Sequence, residues 1–237
     1  MAKDIYNGIV LRMTDYRESD RILNVLTRER GLVAVTARGG RKPNSKYAAF
    51  TLFVYGELEV NERCGKLQLA STSVMESFYP IRESYEQLVA ASRVCAATER
   101  VCDKDQPNDE LFVLLYNALS VIAYGDNDPK DIELCFLAKL LKLCGYAPVL
   151  TRCLRCGRDL RAEKEVRFSN SLGGSVCERC GSAFLPVSTL SLEALRRMML
   201  IEVSEMRRVR LPENVRGELD TLIHNYAEYV LEFTIRR

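Results

Sequence analysis

The chain of 237 residues is 47% hydrophobic and 28% charged, which supplies enough apolar material for a sizeable core and excludes a disordered polymer. A net charge of +2 excludes a chain that is basic or acidic throughout, yet the charge is unevenly placed, with five basic residues and no acid between Arg30 and Gly56. No window approaches the uncharged run of a membrane span and the N-terminus lacks a signal-peptide core, so a soluble cytoplasmic protein with no membrane association is expected.

In chain order, residues 1–80 read as short β segments. "IYNGIVLRM" and "RILNVLT" flank the polar "TDYRESD", and "LVAVTA", "FTLFVYGELEV" and "KLQLASTSVM" follow, each bounded by Gly or a charged turn. This many strands in so short a span predict a small closed barrel, for which an SH3-like barrel and an OB-fold both fit, because both hide the edges of a short antiparallel chain. After Pro80 the period changes to three and four. Leu88, Ala91, Val94 and Cys95 form one stripe, Leu111, Leu114, Leu115 and Leu119 a second, and Leu137, Leu140, Leu141 and Cys144 a third. Asn108 is the expected cap of the second helix and Asp131 of the third. "STLSLEALRRMM" predicts another helix, and Leu219, Leu222, Ile223, Tyr226, Val230 and Phe233 predict a long last one after Pro212. The division expected is a barrel over 1–80, a first helical part over 81–150, a cysteine module over 151–186 and a second helical part over 187–237. The late helices are expected to share one core with the early ones across the inserted module.

Nine cysteines are an odd number, better suited to thiols and metal ligands in a reducing compartment than to disulfides. Cys95, Cys102, Cys135 and Cys144 sit among apolar residues at helical spacing and read as small buried hydrophobes. "CLRCG" and "CERCG" are different. Cys153, Cys156, Cys177 and Cys180 form two hooks that can present four thiolates to one tetrahedral ion. Gly157 and Gly181 follow the hooks and let the chain turn so that N–H groups face the sulfurs. A redox motif would be single, and a catalytic zinc keeps an open position that four cysteines leave no room for. One structural Zn ion per chain is therefore expected, holding together a module too small for its own core.

Catalytic chemistry has little to draw on. The only histidine, His224, lies in the last helical stripe and reads as a surface or partly buried side chain; a single histidine leaves a histidine-based triad or a multi-histidine metal site all but impossible to assemble. There is no P-loop and no G-x-G-x-x-G. A binding protein rather than an enzyme is expected. Its candidate surface is "TARGGRKPNSKY", where Arg38, Arg41, Lys42 and Lys46 surround Gly39, Gly40 and Pro43 in a loop between strands and could contact a phosphate backbone. Tyr47, Phe50, Phe53 and Tyr55 nearby are candidates for base stacking, although a small barrel needs such residues in its interior. Arg152, Arg155, Arg158 and Arg161 of the cysteine module are the next basic candidates.

The chain resembles the bacterial recombination mediators of the RecO family. The residues that carry the likeness are "VLRMTDYRESDRILNVLT", with Arg17, Glu18, Ser19 and Asp20; "ERGLVAVTARGGRK"; "LLKLCGYAP"; the paired cysteines; and the tail "YAEYVLEFTIRR". The resemblance implies an α+β multidomain chain: an N-terminal small β-barrel of the OB-fold type, then an α-helical domain with an inserted four-cysteine zinc module. It implies binding of single- and double-stranded DNA and annealing without enzymatic turnover. It further implies a nucleoid-associated role with RecR in placing RecA on strands coated by single-strand binding protein (SSB). Before "FLAKLLKLCGY", where relatives that grip the acidic C-terminal tail of SSB would carry basic residues, this sequence has Leu134 and Cys135, which leaves that contact open. The competing reading is a zinc-containing protein-interaction adaptor without a direct DNA role. A zinc-dependent enzyme is more distant.

Overall fold

In the computed structural model, which describes residues 3–163 and 165–232, β1 (Lys3–Tyr16), β2 (Asp20–Thr27), β3 (Gly31–Ala37), β4 (Tyr55–Arg63) and β5 (Lys66–Glu76) close into a barrel in the order β1-β2-β3-β5-β4. All pairings are antiparallel except the short β3–β5 seam, where Val35 and Thr36 lie opposite Leu67 and Gln68. This order is that of an OB-type barrel. The alternation in sequence sets the inside: Val33, Val35 and Ala37 of β3 and Leu58 and Val60 of β4 join Val10, Leu23 and Val25 in one buried cluster.

The strand expected to begin at Phe50 begins at Tyr55. Phe53 has a left-handed backbone (φ 70°), and Phe50 N–H and Val54 N–H close turns onto Tyr47 O and Thr51 O, so residues 50–54 break the regular strand although Phe53 N–H and Val54 O still bond Val10 of β1. Arg82 pins this turn by donating to Thr51 Oγ1 (3.0 Å). Phe50 and Phe53 are buried all the same.

Two compact units divide the chain, Met1–Tyr124 and Gly125–Arg237. The first holds the barrel with α1 (Tyr85–Val101) and α2 (Asp109–Tyr124). Ser84 caps α1 by accepting from Gln87 N–H, and Asn108 caps α2 by accepting from Leu111 N–H (2.9 Å), as its position predicts. The α2 stripe is buried as expected, and so are Ala91, Val94 and Cys95 of the α1 stripe, joined by Ala90 and Ala97, while Leu88 is 37% exposed.

The second unit is built around α3 (Pro129–Leu143), with α4 (Thr189–Leu200) and α5 (Glu213–Leu231) packed on it. Every residue of α3 from Asp131 to Leu141 is buried, as befits a helix with neighbours on all sides. Its cap is Asp128, not Asp131: Asp128 accepts from Lys130 N–H (2.9 Å) and Pro129 opens the helix. Asp131 is buried and binds Arg216 of α5 (2.6 Å) and Leu211 N–H (2.9 Å). A three-stranded sheet, β7 (Gly174–Val176), β6 (Glu165–Ser169) and β8 (Leu185–Ser188) in that order, carries the cysteine hooks. It rests on α5 through the edge-to-face pair Phe168–Tyr226, 5.4 Å between centroids. Phe233, expected on the α5 stripe, lies outside the described residues.

His224 is fully buried, not at the surface. It lies on α5 with Nε2 2.9 Å from Glu133 Oε1 of α3 and Nδ1 2.9 Å from Asp220 Oδ1, while Lys130 bridges to Asp220 (2.7 Å). Two carboxylates offset the cost of burying an imidazolium. Burial alone would lower the imidazole pKa, but the bonds to Asp220 and Glu133 raise it to about 9. With the folded value above the unfolded one of about 6.5, this contribution is complete below pH ~6.5 and disappears as pH climbs to ~9, a loss on the order of 3 kcal/mol. Thermal melts across that window should show falling stability in the native chain and a flatter profile in His224→Gln. Parallel profiles would mean that the imidazole carries no proton in the folded state.

Candidate nucleic-acid interface and metal centre

The basic loop runs from Arg38 to Val54 between β3 and β4, and Arg38, Arg41, Lys42 and Lys46 are all exposed. Successive turns shape its first half, with Gly40 N–H on Ala37 O and Lys42 N–H on Gly39 O. The loop is fastened to the β1–β2 turn, residues 17–19. Gly39 N–H donates to Asp20 Oδ1 (2.9 Å), Arg41 N–H to Ser19 O (2.9 Å) and Arg41 Nη1 to Arg17 O (2.9 Å). The Asp20 carboxyl is held below its ordinary value, first by the Gly39 N–H.

The four cations therefore have different parts to play. Arg41 pairs with Asp15 (3.3 Å), an acid remote in sequence that the fold brings to the loop, so the loop is not free of compensating charge as the sequence suggests. Lys46 donates to Ala70 O (2.7 Å) and lies 5.0 Å from the Tyr47 ring, which ties it to the barrel. Arg38 and Lys42 are the members that the structure leaves to reach outward, with no ion pair among the described residues closer than 4 Å. The nearby aromatics serve the interior: Tyr47, Phe50 and Phe53 are buried, and Tyr55 packs edge-to-face on Phe112 and Tyr116 at 5.9 and 5.4 Å. Sequence reasoning assigned no role to Tyr16, the last residue of β1, or to Arg17, the first of the β1–β2 turn, both exposed here. The available signal was an aromatic and a cation side by side at a turn.

In the second unit the Sγ atoms of Cys153, Cys156, Cys177 and Cys180 all lie within 4.8 Å of one another, and Cys156 Sγ is 3.8 Å from Cys177 Sγ. A tetrahedron with metal–sulfur bonds of ~2.3 Å has edges of ~3.8 Å, so the donor set fits a zinc-sized ion. Burial pushes the Cys153 thiol up, but the backbone N–H groups of Cys177, Cys156 and Arg155 converge on its sulfur and bring it down to about 6, favouring the thiolate. The glycines behave differently from one another. Gly157 is left-handed (φ 76°), the conformation a turning hook requires. Gly181 is not; it is there for space, since a Cβ would sit 2.4 Å from Val176 Cγ2 and 2.7 Å from Phe184 Cδ2.

The arginines of this module are engaged within it. Arg155 donates to Cys180 O (2.6 Å) across the two hooks and covers the Phe184 ring, Arg158 pairs with Glu163, and Arg161 pairs with Asp159. Arg155 thereby ties the two hooks of the cysteine cluster together, whereas the pairs of Arg158 and Arg161 are local and exposed.

An OB-type barrel followed by helices with an inserted four-cysteine cluster is the arrangement the resemblance implied. Comparison with known families decides the matter: the profile for "Recombination protein O N terminal" matches residues 1–78 and that for "Recombination protein O C terminal" matches residues 82–237. The chain belongs to the RecO family. It is 33% identical to the DNA repair protein RecO of Desulforamulus reducens over 230 residues, covering 95% of this chain and 89% of the relative. The corresponding figures for the DNA repair protein RecO of Symbiobacterium thermophilum are 30% over 240 residues, 98% and 94%, and for that of Bacillus subtilis 31% over 225 residues, 93% and 87%.

Leu134 and Cys135 are fully buried, so these positions of α3 form no surface for an acidic tail. The lysines that follow act internally: Lys139 donates to Ile201 O and Lys142 to Met199 O (3.2 Å), satisfying carbonyls at the end of α4. A cavity of about 370 Å³ opens between α4 and the start of α5, with Leu190, Ala194, Met198 and Val215 among its lining. No helix among the described residues is long and apolar enough to cross a membrane.

Proposed function

We propose that this chain is a DNA-binding recombination mediator of DNA repair in the cytoplasm, associated with the nucleoid and working without turnover of its own. It binds single- and double-stranded DNA, anneals complementary strands, and with RecR helps place RecA on single strands coated by SSB. The observation that carries this reading is the end-to-end match to a family whose relatives are named DNA repair proteins, on a barrel whose loop holds Arg38 and Lys42 outward on a braced frame. Cations held on a loop meet phosphates without reading bases, which suits a protein that must accept any sequence. In this reading Cys153, Cys156, Cys177 and Cys180 hold one structural zinc, which ties the two hooks together and takes no part in chemistry.

Replacing Arg38 and Lys42 together by Ala should weaken binding to all DNA sequences alike and lower the log–log salt slope on single strands by about 1.4, from about 0.7 per lost phosphate contact. Annealing should fall in parallel. Adding Arg41→Ala should cost more than a third contact, because Arg41 also holds the β1–β2 turn. Fluorescence anisotropy over a salt series measures the slope, with circular dichroism as the folding control. A folded double variant of unchanged affinity and slope would remove the loop from DNA binding. It would favour the adaptor reading, for which the cavity beside α4 is the available docking feature, its arginines Arg197 and Arg210 being paired with Glu193 and Asp126.

A further inference from the structure

We infer that Tyr16 and Arg17 form a stacking platform for one unpaired nucleobase, giving the basic loop a preference for single strands; this rests on the proposal that the loop meets DNA. Tyr16 ends β1 opposite Asp20 and is 41% exposed, whereas Tyr47, Phe50 and Phe53 beside the loop are consumed by the interior. The Arg17 guanidinium lies over the Tyr16 ring, 5.2 Å from its centre. Arg17 holds a left-handed backbone (φ 54°), a conformation costly for a side chain of its size and easily met by glycine. The structure fixes it there, since Arg41 Nη1 donates to Arg17 O (2.9 Å) while Arg41 N–H holds Ser19 O.

The same contacts that shape the cationic loop thus set the Tyr16–Arg17 pair on one frame with Arg38 and Lys42. Of the acids at this turn, Asp15 is taken up by Arg21 (3.0 Å) and Arg41 (3.3 Å) and Asp20 accepts from Gly39 N–H (2.9 Å), which leaves Glu18 as the one exposed carboxylate beside the four cations Arg17, Arg38, Arg41 and Lys42. Flat aromatic and guanidinium groups stack on the faces of bases, and such stacking tolerates any base. A duplex keeps those faces inside its stack. Phosphate contacts from Arg38 and Lys42 serve both forms of DNA, while the platform rewards only a strand with unpaired bases.

The test uses the full-length protein and anisotropy with oligothymidylate and with a blunt duplex of equal length, at one salt concentration. Tyr16→Ala should weaken binding to the single strand about tenfold and leave the duplex affinity unchanged. Tyr16→Phe, which keeps the ring, should bind as the native chain does. Arg17→Gly relieves the left-handed strain and should keep the melting temperature while weakening single-strand binding alone. The inference is overturned if Tyr16→Ala leaves the single-strand affinity intact, or weakens single strand and duplex equally. The loop variant Arg38→Ala/Lys42→Ala separates the two levels: if it weakens both DNAs while Tyr16→Ala does nothing, the platform fails and the loop stands. If it weakens neither, the loop's contact with DNA fails and the platform falls with it.

Discussion

Cys153→Ser or Cys177→Ser is expected to release the metal and unfold the second unit or render the protein insoluble, while any soluble remainder keeps DNA binding through the barrel loop. One tightly held zinc per native chain is the companion expectation. The size of the effect follows from the coupling of metal binding to folding, on the order of 10 kcal/mol for small Cys-rich sites, against a total stability of about 5–15 kcal/mol for a domain. The four sulfurs are gathered by backbone turns and by Arg155 across the hooks, with little beneath them: the local apolar core is Leu160, Val166, Phe168, Val176 and Val187. The module is also tied to its surroundings. Phe168 packs on Tyr226, Asn170 donates to Asn225 O (3.2 Å), and Glu218 accepts from Ser188 N–H (2.9 Å), so its collapse would uncover α5. Metal analysis of protein purified under reducing conditions without chelators, with melting of both Ser variants, checks this. Metal-free native protein of full stability would rule the zinc out.

Removing the chain from Pro212 onward is the second large effect, and it should abolish cooperative unfolding of the second unit while leaving the barrel's signal. The deletion strips Val215, Leu219, Leu222, Ile223 and Tyr226 from the core around α3. At about 1.5–3 kcal/mol for each large side chain, the loss is roughly 10 kcal/mol, again the whole stability of such a unit. It also takes a partner from two buried acids of α3: Asp131 loses Arg216 but keeps Leu211 N–H, and Glu133 loses His224 but keeps Lys130 (3.4 Å), and weaker pairing of a buried charge is itself destabilising. Calorimetry of the truncated and full chains would show it. An unchanged second transition would make α5 an appendage rather than a wall of the core.

Much of this was legible because it depends on short-range chemistry. Period-two alternation over 1–80 is enough to predict a barrel, since a strand with one apolar face must bury it and a short sheet must close its edge. Hooks of Cys-x-x-Cys suggest a tetrahedral site because the turn that fits two thiolates to one ion is local, and the fold brings the sulfurs of Cys153, Cys156, Cys177 and Cys180 within 4.8 Å of one another. The Asn108 cap is legible for the same reason. The cap assigned to Asp131 went astray because two aspartates near one helix start look alike until it is known that Arg216 waits for one of them.

By itself, the sequence determined the five-stranded barrel, the helices, the pairing of cysteine hooks and the basic loop, each a property of neighbours along the chain. Only the tertiary structure decided which side chains those elements share. It made Arg41 a brace by bringing Asp15 and the Arg17 carbonyl to it, drew Lys46 back onto β5, and left Arg38 and Lys42 outward. It buried His224 between Asp220, one turn away on the same helix, and Glu133, a carboxylate 91 residues away of which one histidine in a helical stripe gives no hint. It also grouped α1 and α2 with the barrel, and α3 with α4 and α5. The physical reason is common to all of these: a charge is worth little exposed and much when buried or braced, and burial is set by contacts between segments that no local pattern encodes.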